Sequence, residues 1–342
     1  MANSPDIEVV VSVVIPTYNR VDLLRRVLEA LATQTCTDKF EVIVVSDGST
    51  DGTHEFLQSG EAALPIRFLM QQNAGPAAAR NRGIEAAFGR IVLFVDDDVV
   101  PAPDLLERHL AAHSAQTSDV AVMGPMLNPE GFVMSSWIQW EQYQLYKQYE
   151  ALNRGDYPPT FRQFFTGNAS MPRDRLLQVG MFNATFRRSE DVELAYRLSE
   201  SGLSFVFAAD AKGFHHAERS FESWLRTARE YGRNDVEFMA AGQSWIPGAI
   251  SAEFADRNRF LQILTRHVAS RPRSSRIATT ALSWLSLTRA LRPLQRQVFS
   301  ALYGMTYYRG FSETVGSRRA FLDLLDDGTV PIVPEPHRLE VS

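Results

Sequence analysis

The chain has 342 residues, 45% of them hydrophobic and 22% charged, which excludes a disordered protein and predicts about two domains of ~150 residues each. A net charge of -5 and a pI near 5.9 argue against a surface built for nucleic acid. Cys36 is the only cysteine. No disulfide can therefore form within the chain, and a reducing, cytoplasmic compartment is expected.

The sequence also bears on membrane insertion. The first ten residues contain no basic stretch, and no uncharged apolar run reaches the ~18 to 20 residues that a membrane span requires. We therefore expect neither a standard secretory signal nor a transmembrane helix. The expected location is the cytoplasm, either free or peripheral on the inner face of the membrane.

The first part of the chain alternates apolar runs with amphipathic segments, which predicts an α/β fold with a mostly parallel sheet and helices on both faces. The first strand is rich in Val and Ile and is expected to stop at Pro16. The predicted strands cover residues 7–15, 41–45, 66–70 and 91–95. Three helices are predicted between these strands. The first covers residues 21–33, the second begins near residue 54, and the third has an alanine-rich start and ends near Gly89.

The pattern after residue 120 is more mixed. Strands are predicted over residues 120–123, 164–171 and 204–208, and helices over residues 137–149 and 191–201. Aromatic residues recur every three positions in the first of these helices, a spacing that indicates either core packing or stacking on a sugar. They are Trp137, Trp140, Tyr143 and Tyr146. From residue 246 onward the chain is predicted to be helical, with breaks at Pro247, Pro272 and Pro293.

An arginine-rich segment lies within this helical part. Residues 257–319 contain twelve arginines, no lysine and one acid, a formal charge of +11 that leaves about -16 for the rest of the chain. A helix is predicted over residues 276–296. Two arrangements of this helix are possible. In one, its apolar side packs on the rest of the protein and its arginines face outward; in the other, the segment lies on an anionic membrane surface. The apolar residues are Ile277, Ala281, Trp284, Leu285 and Leu291, and the arginines are Arg289, Arg292 and Arg296.

Polar loops follow all four strands of the first part. They read PTYNR, SDGS, NAGPAAARNRG and DDD, and parallel sheets bind ligands at this edge, beyond the carboxyl ends of their strands. Each loop alone is also ordinary turn chemistry. The convergence of four such loops favours a binding site.

The three consecutive aspartates make the strongest chemical demand. Asp96, Asp97 and Asp98 repel one another at a strand end unless a cation or hydrogen-bond donors compensate. Oxygen-only ligands favour Mg²⁺ or Mn²⁺, and such ions commonly bridge protein carboxylates to diphosphate oxygens. Apolar neighbours on both sides hold these acids at the edge of a core.

Six segments of the chain form an ordered set of motifs: VSVVIPTYNR, VIVVSDGSTDGT, NAGPAAARNRG, VLFVDDDVVP, TGNASMPRD and VGMFNATFRRSEDVELAYRL. In order and spacing, they resemble family 2 of the nucleotide-sugar glycosyltransferases. The resemblance covers residues 11–216 and implies the GT-A fold with an added C-terminal helical region. It implies a nucleotide-sugar-binding part over residues 1–120 and an acceptor-binding and catalytic part over residues 121–245. The arginine-rich helical region would occupy residues 246–342.

The resemblance also assigns site residues. It implies that Asp96 and Asp98 form a DXD motif holding Mn²⁺ or Mg²⁺ on the donor diphosphate, with His216, or less favourably His215, completing the metal shell. It implies that Asp191 is the catalytic base with Glu190 beside it, and that Asn168 lies near the donor sugar. The residues that it assigns to the donor nucleotide are Pro16, Thr17, Tyr18, Asn19, Asp47, Asn73, Gly75, Arg80, Asp96 and Asp97.

Two of these assignments have structural alternatives. An acceptor hydroxyl needs a carboxylate to take its proton, and Asp191, at the start of a predicted helix, is expected to stay ionised. Acids are favoured in any first helical turn, however, so Glu190 and Asp191 can also be mere helix-capping residues. Arg80 can contact the nucleotide, form a salt bridge to Asp47 or Asp97, or do both.

The sequence therefore predicts a metal-dependent inverting glycosyltransferase. It would move a sugar from a nucleoside diphosphate, UDP being commonest in the family, to a hydroxyl of a glycan or lipid-linked acceptor. One alternative is a sugar nucleotidyltransferase, which is expected to carry a glycine-rich phosphate loop where this chain has PTYNRVD. The other is an inactive family member that serves as a binding scaffold. No GxGxxG follows the first strand, which disfavours a dinucleotide oxidoreductase.

Overall fold

The computed structural model describes residues 9–186, 188–243, 245–257, 259–288 and 293–328. It divides into two compact units. The first contains Met1–Met134 and Glu141–Glu218, and the second contains Ser135–Trp140 and Arg219–Ser342. The three-part functional division expected from the sequence stays a prediction.

The first unit is built on two sheets. The larger has seven strands: β1 Val11–Thr17, β2 Phe40–Asp47, β3 Arg67–Gln71, β4 Ile91–Val95, β6 Val120–Met123, β8 Asn168–Pro172 and β9 Ser204–Phe207. Their order is β3-β2-β1-β4-β8-β6-β9, and only β8 runs antiparallel to its neighbours. The smaller sheet contains β5 Val99–Pro101, β7 Met126–Leu127 and β10 Gly213–His215, in the order β5-β10-β7.

Helices cover both faces of the larger sheet, as predicted. Alternate residues of β1 enter opposite layers of the core: Val14 packs with Phe94 and Leu194, whereas Val13 packs with Leu28 on the other face. The helices with described bounds are α1 Val21–Ala32, α2 Thr53–Ser59, α3 Pro76–Ala86, α4 Leu105–Ser114, α5 Ser136–Arg154, α6 Arg173–Gln178 and α7 Glu190–Glu200, with a 3₁₀ turn at Phe161–Gln163.

The predicted limits of two strands differ most from the structure. Strand β1 does not stop at Pro16 but continues to Thr17. Its pairing with β4 ends at Val14, so Pro16 lies where β1 pairs on one side only and the missing N–H costs no ladder bond there. The strand predicted over residues 164–171 begins only at Asn168, after a turn.

The second unit is helical, as the sequence predicts. It contains α8 Phe221–Ala240, α9 Ile246–Ala255, α10 Arg259–Leu264, a π-helical turn at Thr265–Ala269, α11 Pro272–Leu287, α12 Gln295–Thr314 and α13 Arg318–Asp327. Helices α8 and α12 approach closely through two glycines. A Cβ on Gly232 would lie 2.1 Å from the carbonyl oxygen of Tyr307, and one on Gly310 would lie 2.0 Å from that of Arg229. Side chains are therefore excluded at both positions.

The aromatic spacing noted in the sequence is mostly packing. Trp140 is buried in the second unit, where its ring lies 5.7 Å from that of Trp224. The Trp137 N–H donates to the carbonyl of Arg219 in the same unit. In the first unit, the Tyr146 hydroxyl accepts from the backbone N–H of Asn128.

The helix predicted over residues 276–296 is not continuous. Helix α11 ends at Leu287 and α12 begins at Gln295, so the break predicted at Pro293 is confirmed. Arg289, Leu291 and Arg292, part of that prediction, lie outside the described residues. Within the described ranges, every helix falls short of the length and apolar character needed to cross a bilayer.

Candidate active site

The candidate site lies at the carboxyl ends of β1, β2 and β4, all within the first unit. Thr17 ends β1, Asp47 ends β2, and the three aspartates follow β4 directly. The strand order changes direction between β1 and β4, which is where open α/β sheets form their ligand crevice. The predicted convergence of the polar loops is therefore present.

Asp97 and Asp98 share one arginine. The Arg20 Nη1 donates to Asp97 Oδ1 at 2.9 Å and to Asp98 Oδ2 at 2.7 Å, while the Thr17 hydroxyl donates to the other oxygen of Asp97 at 2.8 Å. Arg20 belongs to the PTYNR loop, but the sequence assigned it no role. Because these pairs join residues almost 80 positions apart, only the fold reveals the cation that compensates the acidic turn.

The two acids differ in their titration. Burial raises the pKa of Asp97 to about 6, against the opposing charge of Arg20. Burial also acts to raise the pKa of Asp98, but the hydrogen bond and charge of His215 and the charge of Arg20 outweigh it and bring that pKa to about 2. Asp98 is therefore the acid whose environment favours a permanent negative charge.

The two histidines contact Asp98 in different ways. His215 points its Nε2 to Asp98 Oδ1 at 3.5 Å, whereas the backbone N–H of His216 donates to the carbonyl of Asp98 at 2.8 Å. The His216 ring packs edge-on against Phe132, with ring centroids 5.3 Å apart. The geometry thus brings the His215 imidazole to the acid that the sequence paired with His216.

Arg80 joins the acidic turn to the candidate base. Its Nη2 donates to Asp96 Oδ1 and its Nη1 to Glu190 Oε1, both at 2.8 Å, from a buried position. The guanidinium also lies over the Phe182 ring, 5.7 Å from its centroid. The expected ion pair exists, but its partners are not Asp47 or Asp97. Arg80 therefore connects two acidic segments that are distant in sequence.

Asp191 occupies the first turn of α7, as predicted, but its surroundings work against the ionised state expected there. Burial raises its pKa to about 7, with a further contribution from the negative charge of Glu190 and only partial compensation by Arg80. Its carboxylate accepts one backbone bond, from Val192 N–H at 2.9 Å. Desolvation and like charge here outweigh the helix dipole. A carboxyl group with this pKa can both take and release a proton near neutral pH.

Asp47 organises the loop after β3. Its carboxylate accepts from the backbone N–H groups of Ala74 and Gly75 at 2.8 and 2.9 Å and from the Gln71 amide at 2.7 Å, and its own carbonyl accepts from Asn73. Gly75 has φ +94°, a conformation that disfavours any residue with a side chain. Asp47, Asn73 and Gly75 are thus brought together at the start of α3.

The first polar loop contributes one exposed ring and one loop contact. Tyr18 is exposed at the site edge, where its ring is available to a flat partner. Asn19, with φ +53°, accepts the Thr50 N–H through its side chain at 2.6 Å, which joins the loops after β1 and β2. Pro16 lies within β1 itself, one residue before the loop.

Asn168 has a structural role. It is fully buried, and its amide nitrogen donates to the carbonyls of Pro125 at 3.2 Å and Ala211 at 2.8 Å. These two residues closely precede β7 and β10. Asn168 therefore holds the strand that leads to His215, and its expected place near the donor sugar stays a prediction.

A buried polar chain that the sequence did not predict continues from Asn168. Its amide oxygen lies 2.9 Å from His109 Nε2, and Ser170 Oγ lies 2.8 Å from both His109 Nδ1 and His113 Nε2. The amide oxygen only accepts, so His109 carries its proton on Nε2, Ser170 donates to His109, and His113 donates to Ser170. Burial lowers the pKa of each histidine to about 4, so both are neutral at pH 7.

The side chains around Asp98 are of types that can bind a divalent ion, but they are too few to coordinate it by themselves. A carboxylate of low pKa stands beside an imidazole, and His216 Nδ1 is a buried nitrogen with no hydrogen-bond partner. In the part of the chain that the structure describes, no three acidic, histidine or cysteine side chains are arranged to hold a metal. A bound ion would therefore need oxygens from its ligand.

A family model supplies the decisive comparison: "Glycosyl transferase family 2" matches residues 12–176, which contain β1 to β8 and the acidic turn. Residues 12–176 place this chain in glycosyl transferase family 2. Among curated relatives, a validoxylamine A glucosyltransferase of Streptomyces hygroscopicus subsp. jinggangensis is 33% identical over 241 residues, 62% of this chain and 57% of the relative. A chondroitin synthase of Escherichia coli is 27% identical over 257 residues, 65% of this chain and 37% of the relative.

This family 2 chain thus spans little more than half the length of the first of these relatives. Solved structures show that its fold is GT-A. A mannosyltransferase of Pyrobaculum calidifontis, solved with GDP-Man and Mn²⁺, matches with a TM-score of 0.57 and 20% identity, covering 90% of this chain and 89% of the other. Staphylococcus aureus TarS 1-349, solved with UDP, matches with a TM-score of 0.53 and 18% identity over 89% of this chain and 90% of the other.

Proposed function

We propose that the protein is a metal-dependent, inverting glycosyltransferase that moves a sugar from a nucleoside diphosphate, UDP in the first instance, to an acceptor hydroxyl. The observation that carries the proposal is the Arg80 bridge. It joins Asp96 of the acidic turn to Glu190, the neighbour of Asp191, through two bonds of 2.8 Å. The acidic turn and the Glu190–Asp191 pair are thereby joined in one cluster, which supports a donor site beside a proton acceptor.

The donor would lie across the ends of β1, β2 and β4. The exposed Tyr18 ring can stack on the base, and the loops carrying Asn19, Asp47 and Gly75 form the surrounding wall. Asp96, Asp98 and a histidine, His216 or His215, would hold Mn²⁺ or Mg²⁺. When bound, such an ion neutralises the charge that develops on the diphosphate leaving group. The relatives solved with UDP and with GDP-Man and Mn²⁺ support this donor class.

Asp191 would act as the base. The acceptor oxygen forms a bond to the anomeric carbon, the bond from that carbon to the diphosphate oxygen breaks, and the hydroxyl proton passes to the Asp191 carboxylate. Because the acceptor attacks opposite the leaving group, this single displacement inverts the anomeric centre. Glu190 would remain paired with Arg80 and keep the base oriented.

The acceptor class follows from the relatives only in outline. They include a validoxylamine A glucosyltransferase and a chondroitin synthase. We extend the proposal to a glycan or lipid-linked glycan acceptor, with the protein peripheral on an anionic membrane surface. Residues 257–319 would provide that contact.

Turnover of a donor panel tests the proposal. We expect the full chain with Mn²⁺ to release UDP from at least one UDP-sugar, slowly with water and faster with an acceptor. Binding of UDP without cleavage of any nucleotide sugar in the panel would favour an inactive scaffold. Pyrophosphate release from UTP and a sugar phosphate would favour a nucleotidyltransferase. Either result would overturn the proposed activity.

A further inference from the structure

Helix α11 in the second unit exposes two large apolar side chains. Ile277 is 72% exposed and Trp284 is 70% exposed, while Ser275 and Ser286 are completely buried. The exposed positions recur at helical spacing and form one stripe, which we call the α11 stripe: Arg273, Arg276, Ile277, Thr280, Ala281 and Trp284. Since a surface helix normally buries its large apolar residues, the exposure of Ile277 and Trp284 indicates that the α11 stripe meets an apolar environment outside the unit.

The burial of the opposite face shows that this orientation is fixed. The Ser286 hydroxyl donates to the carbonyl of Ser283, and the Ser286 carbonyl accepts from the Gln295 amide at the start of α12. Helix α11 packs on α12, and its unexposed side carries the half-buried Leu282 and Leu285 beside these serines. Rotation of α11 to bury Trp284 would break the bond between Gln295 and the Ser286 carbonyl and expose the interface with α12.

Positive charge surrounds the amino-terminal half of the stripe. Arg271, Arg273 and Arg276 are exposed, and none of them forms an ion pair with another described residue. The single acid of residues 257–319, Glu313, lies on α12 and is bound by Arg229 and Arg309. An occupant of the stripe must therefore combine an apolar layer with negative charge.

We infer that the α11 stripe docks on an anionic lipid surface, with Trp284 and Ile277 entering the headgroup boundary and the arginines contacting lipid phosphates. Tryptophan favours that boundary, and an arginine can lay its aliphatic stem on apolar surface while its head stays at the phosphate level. A second copy of the chain fits less well, because the exposed Arg271, Arg273 and Arg276 of two copies would face each other. The inference rests on the membrane location proposed above but not on sugar transfer.

Co-sedimentation of the full chain with vesicles tests the inference. We expect binding to vesicles of phosphatidylcholine with phosphatidylglycerol, weak binding to phosphatidylcholine alone, and release as the salt concentration rises. Arg273→Gln and Arg276→Gln should each weaken binding about fivefold. The double variant Ile277→Ser and Trp284→Ser should abolish it. Bromine-labelled lipid should quench the fluorescence of the wild type more than that of Trp284→Phe.

Matched control variants distinguish docking through the α11 stripe from non-specific electrostatic or hydrophobic binding. Phe88→Ser removes an equally exposed aromatic from the first unit, and Arg154→Gln removes an exposed arginine from α5; both should bind like the wild type. Circular dichroism confirms that each variant is folded. Binding indifferent to lipid charge, or unchanged in the double variant, would overturn the inference. A dimer in sedimentation velocity that dissociates in the double variant would identify a second copy as the occupant. Vesicle binding is read without UDP release, so its failure is distinguishable from failure of the proposed activity.

Discussion

At the residue scale, two neighbouring carboxyl groups have different environments. Glu190 is buried and paired with Arg80, whereas Asp191 receives a single backbone hydrogen bond and has a pKa raised by burial to about 7. A general base accepts a proton more readily when its carboxylate is not held in an ion pair, and its pKa is best placed near the working pH. This contrast supports the proposal that Asp191 accepts the proton and that Glu190 orients it.

Asp191→Asn should abolish transfer while it leaves donor binding near normal. The amide is nearly isosteric with the carboxylate but cannot accept the proton, so we expect a fall in kcat of about 10²- to 10⁴-fold. Calorimetry with UDP checks the binding half of the prediction. Asp22→Asn, at an exposed acid in the first turn of α1, is the matched control. Substantial transfer by the Asp191 variant would move the base to another group, with Glu190 the next candidate.

The pH profile gives an independent prediction. Only deprotonated Asp191 can act, so kcat/KM should rise through a pKa of about 7 and fall about tenfold per pH unit below it. Arg80 lowers that pKa through its charge, so Arg80→Gln should move this limb to higher pH. A merely structural role of Arg80 would lower activity equally at every pH. A limb that stays at the same pH in the variant would contradict the coupling.

The residue-scale contacts were the hardest to predict from the sequence. The resemblance to family 2 indicated that Asp96, Asp98, Arg80 and Asp191 belong to one site. The ion-pair partners suggested for Arg80, Asp47 or Asp97, are not those that the structure shows. The bond from Arg80 to Glu190 spans 110 residues, and the raised pKa of Asp191 depends on burial that no local pattern encodes.

At the element scale, α4 and β8 are joined by the chain His113, Ser170, His109 and Asn168. Its last member holds the backbone before β7 and β10, and β10 ends at His215 beside Asp98. Buried polar networks of this kind stabilise only when every member is satisfied. This hydrogen-bonded network therefore positions the smaller sheet relative to the acidic turn.

Ser170→Ala should destabilise the protein. It leaves His109 Nδ1 without a donor and His113 Nε2 without an acceptor, and one unsatisfied buried group costs about 1 to 3 kcal/mol. The free energy of unfolding, measured with urea, checks this. Ser59→Ala, which removes an exposed hydroxyl bonded within α2, should change it by less than about 0.5 kcal/mol. Equal effects of the two substitutions would contradict the role of the network.

Element positions were predicted well where an apolar run is continuous. Strands β4 and β6 have the predicted bounds, because both are buried on two faces and their sequences are unbroken hydrophobic runs. Helix α11 was predicted less well. Periodicity located the apolar residues of α11 but did not show which side of the helix packs. That side is set by contact with α12, and it contains the buried Ser275 and Ser286 of α11.

At the scale of the whole molecule, charge divides along the chain. Residues 257–319 hold +11 and the remainder about -16, and this asymmetry was visible in the sequence. The GT-A fold and the C-terminal helical region were also predicted correctly, because the order of the motifs fixes the order of the strands that carry them. The two compact units agree in number with the two domains expected from the length, but their boundary was not predicted, because α5 begins in one unit and continues in the other.

Calorimetric titration of UDP tests the central claim most directly, namely that the acidic turn binds a nucleoside diphosphate together with a metal ion. The account predicts that Mn²⁺ strengthens UDP binding to the wild type, and that Asp98→Ala lowers the affinity at least about tenfold and removes the effect of Mn²⁺. Asp38→Ala, at an exposed acid, should bind like the wild type. Unchanged affinity and unchanged manganese dependence in Asp98→Ala would contradict the account.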